Sequence, residues 1–452
     1  MEEVFTNSWI DDIDRNVISY IEGEDYEYLY PTVSGICITD EEYNTLKDYA
    51  EKWYKEAKIT LFDILERTRE IKETDKDYNN EIFTNDLEIV WQFLSDKKYQ
   101  YYKSGNTYLC KGTYEYEKIK NITSAIIRLD FVKDLDGEFK LVEANADTPC
   151  AIPETFYGNF VFTDKLDDWG KASAELGSLF NNKINFCKDD WKTNPTLIVF
   201  ASSSYPEDRD NANYLYQATE AFISTRNIKN VYCELCDLEE LEIFDDGVFL
   251  NGRKVNILYR LHPMELLIED KSEDGFNIGW KLIELHYQEK VTLVNEPSAI
   301  FLQNKLLMKY LSCLPFVPRA YNENSKTDNM VICKNCYGRE GEDIKVFGNM
   351  EECNKYLKDK ENKDEYLVQE YIEQKPEKFI VSDMQGKKQV KKLYLTYSIF
   401  LINEEPSLTY VRGSFSPICD YTAFWIPTYG EEDLKGTDED IFDLKKKLKK
   451  IF

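Results

Sequence analysis

The segment from Ile126 to Cys150 constrains the fold of this chain most. It reads IIRLDFVKDLDGEFKLVEANADTPC, in which two alternating apolar runs flank an Asp136-Gly137 step. This pattern predicts a β-hairpin with a two-residue turn. A shift of one residue in the pairing would move half of the side chains to the other face, and Lys133 opposite Lys140 is a mild argument against this register.

The predicted register gathers polar side chains on one face of the hairpin. Asp130 lies opposite Glu143, and Arg128 lies opposite Asn145, with opposed side chains about 5 Å apart. Such acidic residues are often only solvated, and an Arg–Asp pair is often only a weak salt bridge. All four on one face favour a site, because two carboxylates and an amide oxygen suit Mg²⁺ bound together with substrate phosphates.

The bulk composition predicts a globular protein with several domains. At 452 residues the chain is long enough for two to four domains, and its hydrophobic share of 42% supports packed cores. The formal net charge of −28 disfavours nucleic acid and anionic membranes as partners. A cationic substrate would be attracted, although a biased genome composition explains the charge equally well.

The cysteine and histidine content limits the cellular compartment in which we expect the protein and the kinds of catalytic site that it can build. The first twelve residues, MEEVFTNSWIDD, are acidic where a signal peptide would be basic and then apolar. Eleven irregularly spaced cysteines fit reduced thiols, so we expect a cytoplasmic protein without a membrane span. His262 and His286 are the only histidines, which argues against a Ser-His-Asp relay or a His-rich metal site. The oligomeric state is not indicated.

The order of predicted elements indicates an α/β chain of the α+β type. A cap at Thr39–Glu42 begins a long helix, and a short apolar run at Thr196–Ala201 opens a strand–helix–strand unit. Further helices are predicted at 85–94, 212–226, 299–311 and 444–450. Further strands are predicted at 230–233, 256–260, 291–295, 330–334, 343–347, 366–372, 392–401 and 408–413.

Five short motifs in a fixed order resemble one family. They are NADTP after the hairpin, RLHPME at 260–265, the Asn304-Lys305 pair within QNKLLM, KNCYGREG at 334–341 and VQEYI at 368–372. This series resembles the synthetase domain of glutathionylspermidine synthases, which are ATP-grasp carbon–nitrogen ligases. The resemblance covers roughly Trp53 to Pro427.

The resemblance implies an ATP-grasp fold in permuted order, in which the metal carboxylates precede the lysines, with a pre-ATP-grasp strand–helix–strand domain and a mobile lid. It places a helical region and the metal-binding hairpin at 1–190 and the pre-ATP-grasp domain at 191–297. The lid and ATP-binding lobe follow at 298–374. The rest of the core sheet and a terminal helix occupy 375–452.

The implied activity joins a peptide-like carboxylate to an amine through an acyl phosphate, using ATP and Mg²⁺. Asp130, Glu143 and Asn145 would hold the metal, and Arg128 the transferring phosphoryl group or the carboxylate. By resemblance, Thr148 and Cys150 stand where the family has hydroxyls near the reacting carboxylate. The residues implied in nucleotide binding are Lys305 and Lys334 at the phosphates, Gly338 and Gly341 in a mobile loop, and Gln369, Tyr371 and Ile372 at the adenine.

Other interpretations stay open. The sequence departs from the family motifs at Asn335, Cys336, His262 and Met264. The resemblance therefore constrains the identity of the acceptor substrate less than it constrains the binding of ATP. Zinc bound by Cys233-x-x-Cys236 and Cys333-x-x-Cys336 is one alternative. A non-catalytic relative that binds nucleotide or peptide is another, and a ligase acting on a peptide or cell-wall acceptor is a third.

Overall fold

The computed structural model describes residues 8–22, 27–72, 74–75, 125–163, 166–181, 195–272 and 275–431. The helices predicted at 85–94 and 444–450 lie outside these residues. The described helices are α1 (Ser8–Asp11), α2 (Asp40–Lys72), α3 (Asn159–Thr163), α4 (Leu166–Gly177), α5 (Pro206–Thr225), α6 (Met264–Leu267), α7 (Ile278–Tyr287), α8 (Ala299–Gln303) and α9 (Met350–Lys358). None of them combines the length and the apolar character that a membrane span needs.

The described strands form several sheets with helices against them, so the mixed α+β class is confirmed. The strands are β1 (Ile36–Ile38), β2 (Ile126–Lys133), β3 (Phe139–Asn145), β4 (Thr196–Ser202), β5 (Val231–Asp237), β6 (Glu242–Phe244), β7 (Gly247–Leu250), β8 (Arg253–Val255), β9 (Ile257–Leu261), β10 (Thr292–Val294), β11 (Ala320–Tyr321), β12 (Val331–Asn335), β13 (Lys345–Phe347), β14 (Tyr366–Glu370), β15 (Glu377–Ser382), β16 (Lys388–Ile402), β17 (Glu405–Ser414), β18 (Phe424–Ile426) and β19 (Thr428–Gly430).

A central antiparallel sheet joins two distant parts of the sequence. Its order is β18-β17-β16-β2-β3, and β15 pairs with the other end of the long strand β16. Nearly all residues of β2 are buried, because it lies between β16 and β3 and is covered on both faces. The predicted hairpin therefore lies inside a larger sheet and does not stand alone as a ribbon.

The long helix α2 begins at the predicted cap. The Thr39 backbone N–H donates to Glu42 Oε2 at 2.9 Å, and the Glu42 N–H donates to Thr39 Oγ1 at 3.1 Å, which forms a reciprocal capping box. Leu46, Trp53 and Leu61 recur at helical spacing and are buried in the same cluster as the core of the central sheet. The helix thus closes one face of that sheet.

A parallel sheet follows in the sequence. Its order is β10-β9-β4-β5, and all its pairings are parallel. Every residue of β4 is buried, as the continuous apolar run predicts for a strand covered on both faces. The connection from β4 to β5 runs through α5, which starts with Pro206 in its first turn. The predicted strand–helix–strand unit is confirmed.

A small antiparallel sheet carries its own core. Its order is β11-β14-β12-β13, and α9 packs against it. The buried residues Val331, Cys333, Met350, Cys353, Tyr366 and Val368 form a cluster separate from the larger cores. The strands predicted at 330–334, 343–347 and 366–372 are confirmed to within a few residues at their ends.

One predicted helix is wrong in its extent. The pattern at 299–311 predicts one continuous helix, but α8 stops at Gln303 and a 3₁₀ segment runs over Lys305–Lys309. Asn304 interrupts the helix with a ψ of 117°, and its side chain accepts a hydrogen bond from the Leu306 N–H as a new cap. This break sets the direction of the Lys305 side chain.

Candidate active site

The polar face of the hairpin has the predicted register. Asp130 pairs with Glu143 and Arg128 pairs with Asn145. The four side chains belong to β2 and β3 in the interior of the central sheet, where neighbouring strands hold them in place. The predicted gathering of these four side chains on one face is confirmed by the strand pairing.

The turn that produces this register is not the predicted one. The connection is the five-residue loop 134–138 instead of a two-residue turn at Asp136–Gly137, so Lys133 pairs with Phe139 and not with Lys140. A β-bulge between the Asp130 and Phe131 pairings leaves Val142 as the extra residue on β3. The bulge restores the predicted pairing at the polar end.

Asp130 is held as a buried anion by two arginines. Arg128 donates to both of its oxygens, at 2.9 and 3.0 Å, and Arg412 Nη2 donates at 2.8 Å. The Asn145 amide donates at 3.2 Å, and Asp130 is only 1% exposed. Burial alone would raise the pKa of Asp130, but the two guanidiniums outweigh it and the pKa lies below its usual value.

Glu143 is neutralised by the first predicted lysine. Lys305 Nζ lies 2.9 Å from Glu143 Oε1 and donates to the Gly338 carbonyl at 2.8 Å. Burial raises the pKa of Glu143, but the charge and the hydrogen bond of Lys305, together with the charge of Arg412, outweigh burial, so the pKa lies below its usual value. Lys305 therefore links strand β3 to the glycine loop.

The second predicted lysine reaches the bulge. Lys334 Nζ donates to the Val142 carbonyl at 3.0 Å and to Gln369 Oε1 at 3.3 Å. Burial, followed by the Lys305 charge, lowers the pKa of Lys334 to about 8. A group with this pKa is mostly charged at pH 7 and gains further from an anion placed beside it.

Gln369 does not face the cleft. Its side chain is completely buried, and its Nε2 donates to the Pro318 carbonyl at 3.1 Å while its Oε1 accepts from Lys334. The predicted contact of its side-chain amide with an adenine edge stays a prediction, since both polar atoms of this amide have protein partners here. The amide oxygen instead accepts a hydrogen bond from Lys334 and helps to orient it. Both polar atoms of the buried amide therefore have hydrogen-bond partners.

Asp130, Glu143, Lys305 and Lys334 line one cleft between the central sheet and the small sheet, whereas Arg128, Asn145 and Gln369 are not among the described residues that line it. The cleft has a volume of about 840 Å³, which includes space open to solvent. Gly338, Gly341, Tyr371 and Ile372 also line it. Gly341 has a φ of +78°, and a Cβ there would lie 3.0 Å from the Cys419 carbonyl, so this position needs glycine. The apolar residues that line the cleft include Val132, Pro318, Ile332, Ile344 and Ile418.

A family model described as glutathionylspermidine synthase preATP-grasp matches residues 43–430. The chain belongs to this family. Membership over nearly the whole chain confirms the resemblance read from the motifs and indicates an ATP-dependent ligase of the glutathionylspermidine synthase type. Small-molecule substrates follow from the same membership.

Arg412 is a cleft residue that sequence reasoning missed in this family member. It lies on β17 opposite Thr396 of β16, and both residues line the cleft with Asp130. None of the five motifs includes Arg412, and its register against β16 is not visible in the sequence. The long β16 hairpin alone brings this arginine to Asp130.

The segment after the hairpin contacts Arg128 through a different guanidinium nitrogen from the two that bind Asp130. Arg128 Nη1 donates to the Cys150 carbonyl at 2.9 Å, and Cys150 Sγ lies 3.8 Å from the Thr148 carbonyl. Burial and then the charges of Glu207 and Asp208 hold the pKa of Cys150 well above its usual value. The thiol therefore stays protonated at neutral pH and is not a nucleophile.

Two arginine–carboxylate contacts fasten this segment and the glycine loop to the parallel sheet. Arg260 pairs with Asp147 through both guanidinium arms, and the Met264 N–H also donates to Asp147 at 2.7 Å. Arg339 Nε donates to Glu265 at 2.8 Å. The RLHPME motif thus contributes structure around the site through its arginine and its glutamate.

A second group of carboxylates lies beyond Arg128. Glu154 is fully buried and accepts from the Tyr30 hydroxyl at 2.9 Å, while Glu207 and Asp208 start α5. Burial, followed by the charges of Glu154 and Asp208, raises the pKa of Glu207 to about 8. Sequence reasoning missed this group, because it joins residues far apart in the sequence and carries no local pattern.

The donor atoms on the hairpin face fit Mg²⁺. Asp130, Glu143 and Asn145 supply two carboxylates and an amide oxygen, and Mg²⁺ takes one or two carboxylates together with phosphates. The lowered pKa values keep both carboxylates ionised. No cluster of three or more His, Cys, Asp and Glu side chains occurs in the part of the chain that the structure describes, which leaves the zinc alternative without support.

Proposed function

We propose that this chain is an ATP-dependent carbon–nitrogen ligase that joins a peptide-like carboxylate to an amine, in the manner of glutathionylspermidine synthase. The supporting observation is the meeting of Asp130, Glu143, Lys305, Lys334 and Arg412 in one cleft. These residues come from four separate segments, and phosphoryl transfer requires such convergence of anions and cations. The proposed fold is a permuted ATP-grasp, divided at 190, 297 and 374.

The nucleotide would lie in the cleft with its phosphates over the hairpin face. Lys305 and Lys334 bind the phosphates as point charges, and the backbone of Gly338–Gly341 covers them and excludes water. Tyr371 and Ile372 meet the adenine through backbone groups. Asp130, Glu143 and Asn145 hold Mg²⁺, which when bound neutralises phosphate charge and orients the transferring group.

The chemistry has two steps. A carboxylate oxygen of the acid attacks the γ-phosphorus of ATP, and the bond to the β-phosphate oxygen breaks to release ADP and leave an acyl phosphate. The amine nitrogen then attacks the acyl carbon, the carbon–oxygen bond to phosphate breaks, and the nitrogen loses a proton. Arg128 and Arg412, fixed beside Asp130, stabilise the charge that develops on the transferring group.

The acid and the amine would meet on the Cys150 side of Arg128. Thr148 and Cys150 face the reacting carboxylate, where a protonated thiol donates a hydrogen bond. Glu207 and Asp208 suit a cationic amine, because burial disfavours the charged form of both until a cation arrives, and the charges of Glu154 and Asp208 add to this effect at Glu207. This arrangement favours an amine with more than one positive charge.

ADP release tests this proposal. A ligase forms ADP and phosphate only when both a carboxylate and an amine are added, whereas a nucleotide-binding relative without activity binds ATP and forms no ADP. Screening carboxylate and amine pairs for phosphate production identifies the substrates and includes peptide and cell-wall acceptors. ATP binding without ADP formation for every pair would contradict the ligase assignment.

A further inference from the structure

Three consecutive residues at the end of α8 hold three different parts of the site. Gln303 Oε1 accepts from the Ala146 and Asp147 backbone N–H groups, at 3.2 and 3.0 Å. Asn304 Nδ2 donates to the Tyr337 hydroxyl at 2.9 Å. Lys305 follows with its contacts to the hairpin and the glycine loop. The break in the helix at Asn304 allows these neighbours to point in different directions.

The contacts of Gln303 fall on the backbone immediately after Asn145. Strand β3 ends at Asn145, so the next two residues lie beyond the strand. Asn295 Nδ2 donates to the Ala146 and Asp147 carbonyls at 2.9 Å each, which satisfies the acceptors while Gln303 satisfies the donors. Two buried side-chain amides therefore fix the backbone at this point.

The position of Asn145 depends on this backbone. Its side chain contacts Asp130 across the hairpin, and it is the last residue of its strand, where pairing constrains it from one direction only. Groups behind a metal ligand that orient it are worth about 10–100-fold in metal affinity. Gln303 is placed to act in this way, with the Lys305 contact to Glu143 two residues later.

We propose that Gln303 is a positioning residue that keeps Asn145 in place as a ligand of nucleotide-bound metal. The inference rests on the proposed function, because it assumes that the hairpin face binds Mg²⁺ with ATP. A merely structural role for Gln303 differs in one respect. It predicts a loss of stability that is independent of Asn145, whereas a positioning role acts only through Asn145.

Metal binding by the full chain tests the proposal, with Mn²⁺ as the probe and a non-hydrolysable ATP analogue present. We expect Gln303→Met, which removes the acceptor at similar size, to weaken Mn²⁺ binding at least about 10-fold by electron paramagnetic resonance. The matched control is Asn256→Leu, since Asn256 Oδ1 also accepts from a backbone N–H, that of Leu197 at 2.9 Å, away from the cleft. The control should bind Mn²⁺ like the wild type.

A double-mutant cycle separates the two roles. In an Asn145→Ala background, Gln303→Met should cause no further loss of Mn²⁺ affinity, because the ligand that it positions is gone. Additive losses, or unchanged affinity in Gln303→Met alone, would overturn the positioning role. If Gln303→Met does not fold, the shorter Gln303→Asn is taken through the same cycle with the same expectations. A wild-type protein that binds no Mn²⁺ with the nucleotide contradicts the proposed function itself.

Discussion

Two groups of carboxylates lie on either side of Arg128, and their surroundings push their pKa values in opposite directions. On the hairpin side, Asp130 and Glu143 are paired with arginine and lysine, so their pKa values lie below the usual range. On the α5 side, burial and mutual repulsion raise the pKa of Glu207 to about 8. The first group is already neutralised by the protein, whereas at Glu207 burial outweighs the nearby Arg128 charge.

Two different environments within one site can therefore serve two kinds of substrate. The hairpin side presents fixed cations together with anions, which suits a triphosphate and its metal. On the α5 side, burial disfavours the charged form of Glu207, and a cationic amine placed beside it would favour that form.

Removing the charge of Asp130 should stop turnover. We expect Asp130→Asn to lower kcat by at least about 10²–10³-fold, because the metal loses a ligand and Arg128 and Arg412 lose their anchor. Steady-state ADP release under saturating ATP measures it. The control is Asp136→Asn in the exposed turn of the same hairpin, which should keep full activity. Wild-type turnover in Asp130→Asn would contradict the assignment of the metal site to the hairpin face.

Removing the charge of Glu207 should weaken the amine alone. We expect Glu207→Gln to raise KM for the amine about 10–100-fold, the usual value of one charged hydrogen bond, with ATP affinity unchanged. Glu220→Gln, exposed on the same helix, is the control. An equal rise in KM for ATP would show that the two groups do not serve different substrates.

ATP affinity should depend on pH through Lys334. Its pKa of about 8 means that the charged form, which binds phosphate, is lost as pH rises through 8. Between pH 7 and 9 the Kd for ATP should therefore rise by up to about 10-fold. Lys334→Arg stays charged, so its Kd should be nearly constant over this range by calorimetry. A wild-type Kd that does not change from pH 7 to 9 would contradict the role of Lys334.

The two groups should also affect stability with opposite sign. Glu207 has a raised pKa, so its contribution to stability is full below its ordinary pKa and is lost as pH rises through about 8. Glu207→Gln should therefore raise Tm by about 2–4 °C at pH 8 and by less at pH 5. Asp130 has a lowered pKa, so Asp130→Asn should lower Tm at both pH values. A change of Tm in the same direction for both variants would contradict the opposite pKa shifts of Glu207 and Asp130.

The sequence was informative where a local pattern determines the structure. The alternating hairpin, the capping box at Thr39 and the buried run at 196–201 were read correctly, because each depends on a few neighbouring residues. The register at Asp130 was also predicted, although from the wrong turn. The bulge at Val142 shifts the pairing by one residue and so offsets the effect of the longer loop on the register. No local sequence pattern predicts this bulge.

Contacts between distant segments were beyond such reasoning. Arg412 reaches Asp130 only through the pairing of β16 with both β17 and β2, and Gln369 turns inward because Lys334 needs an acceptor. The break at Asn304 also escaped, since the apolar pattern continues across it. Each case depends on tertiary pairing, which the residue order alone does not reveal.

A crystal structure with a non-hydrolysable ATP analogue and Mn²⁺ tests the central claim most directly. We expect the anomalous signal of the metal at about 2.0–2.2 Å from oxygens of Asp130, Glu143 and Asn145, with the phosphates against Lys305 and Lys334. A metal coordinated elsewhere, or a nucleotide bound outside this cleft, would contradict it.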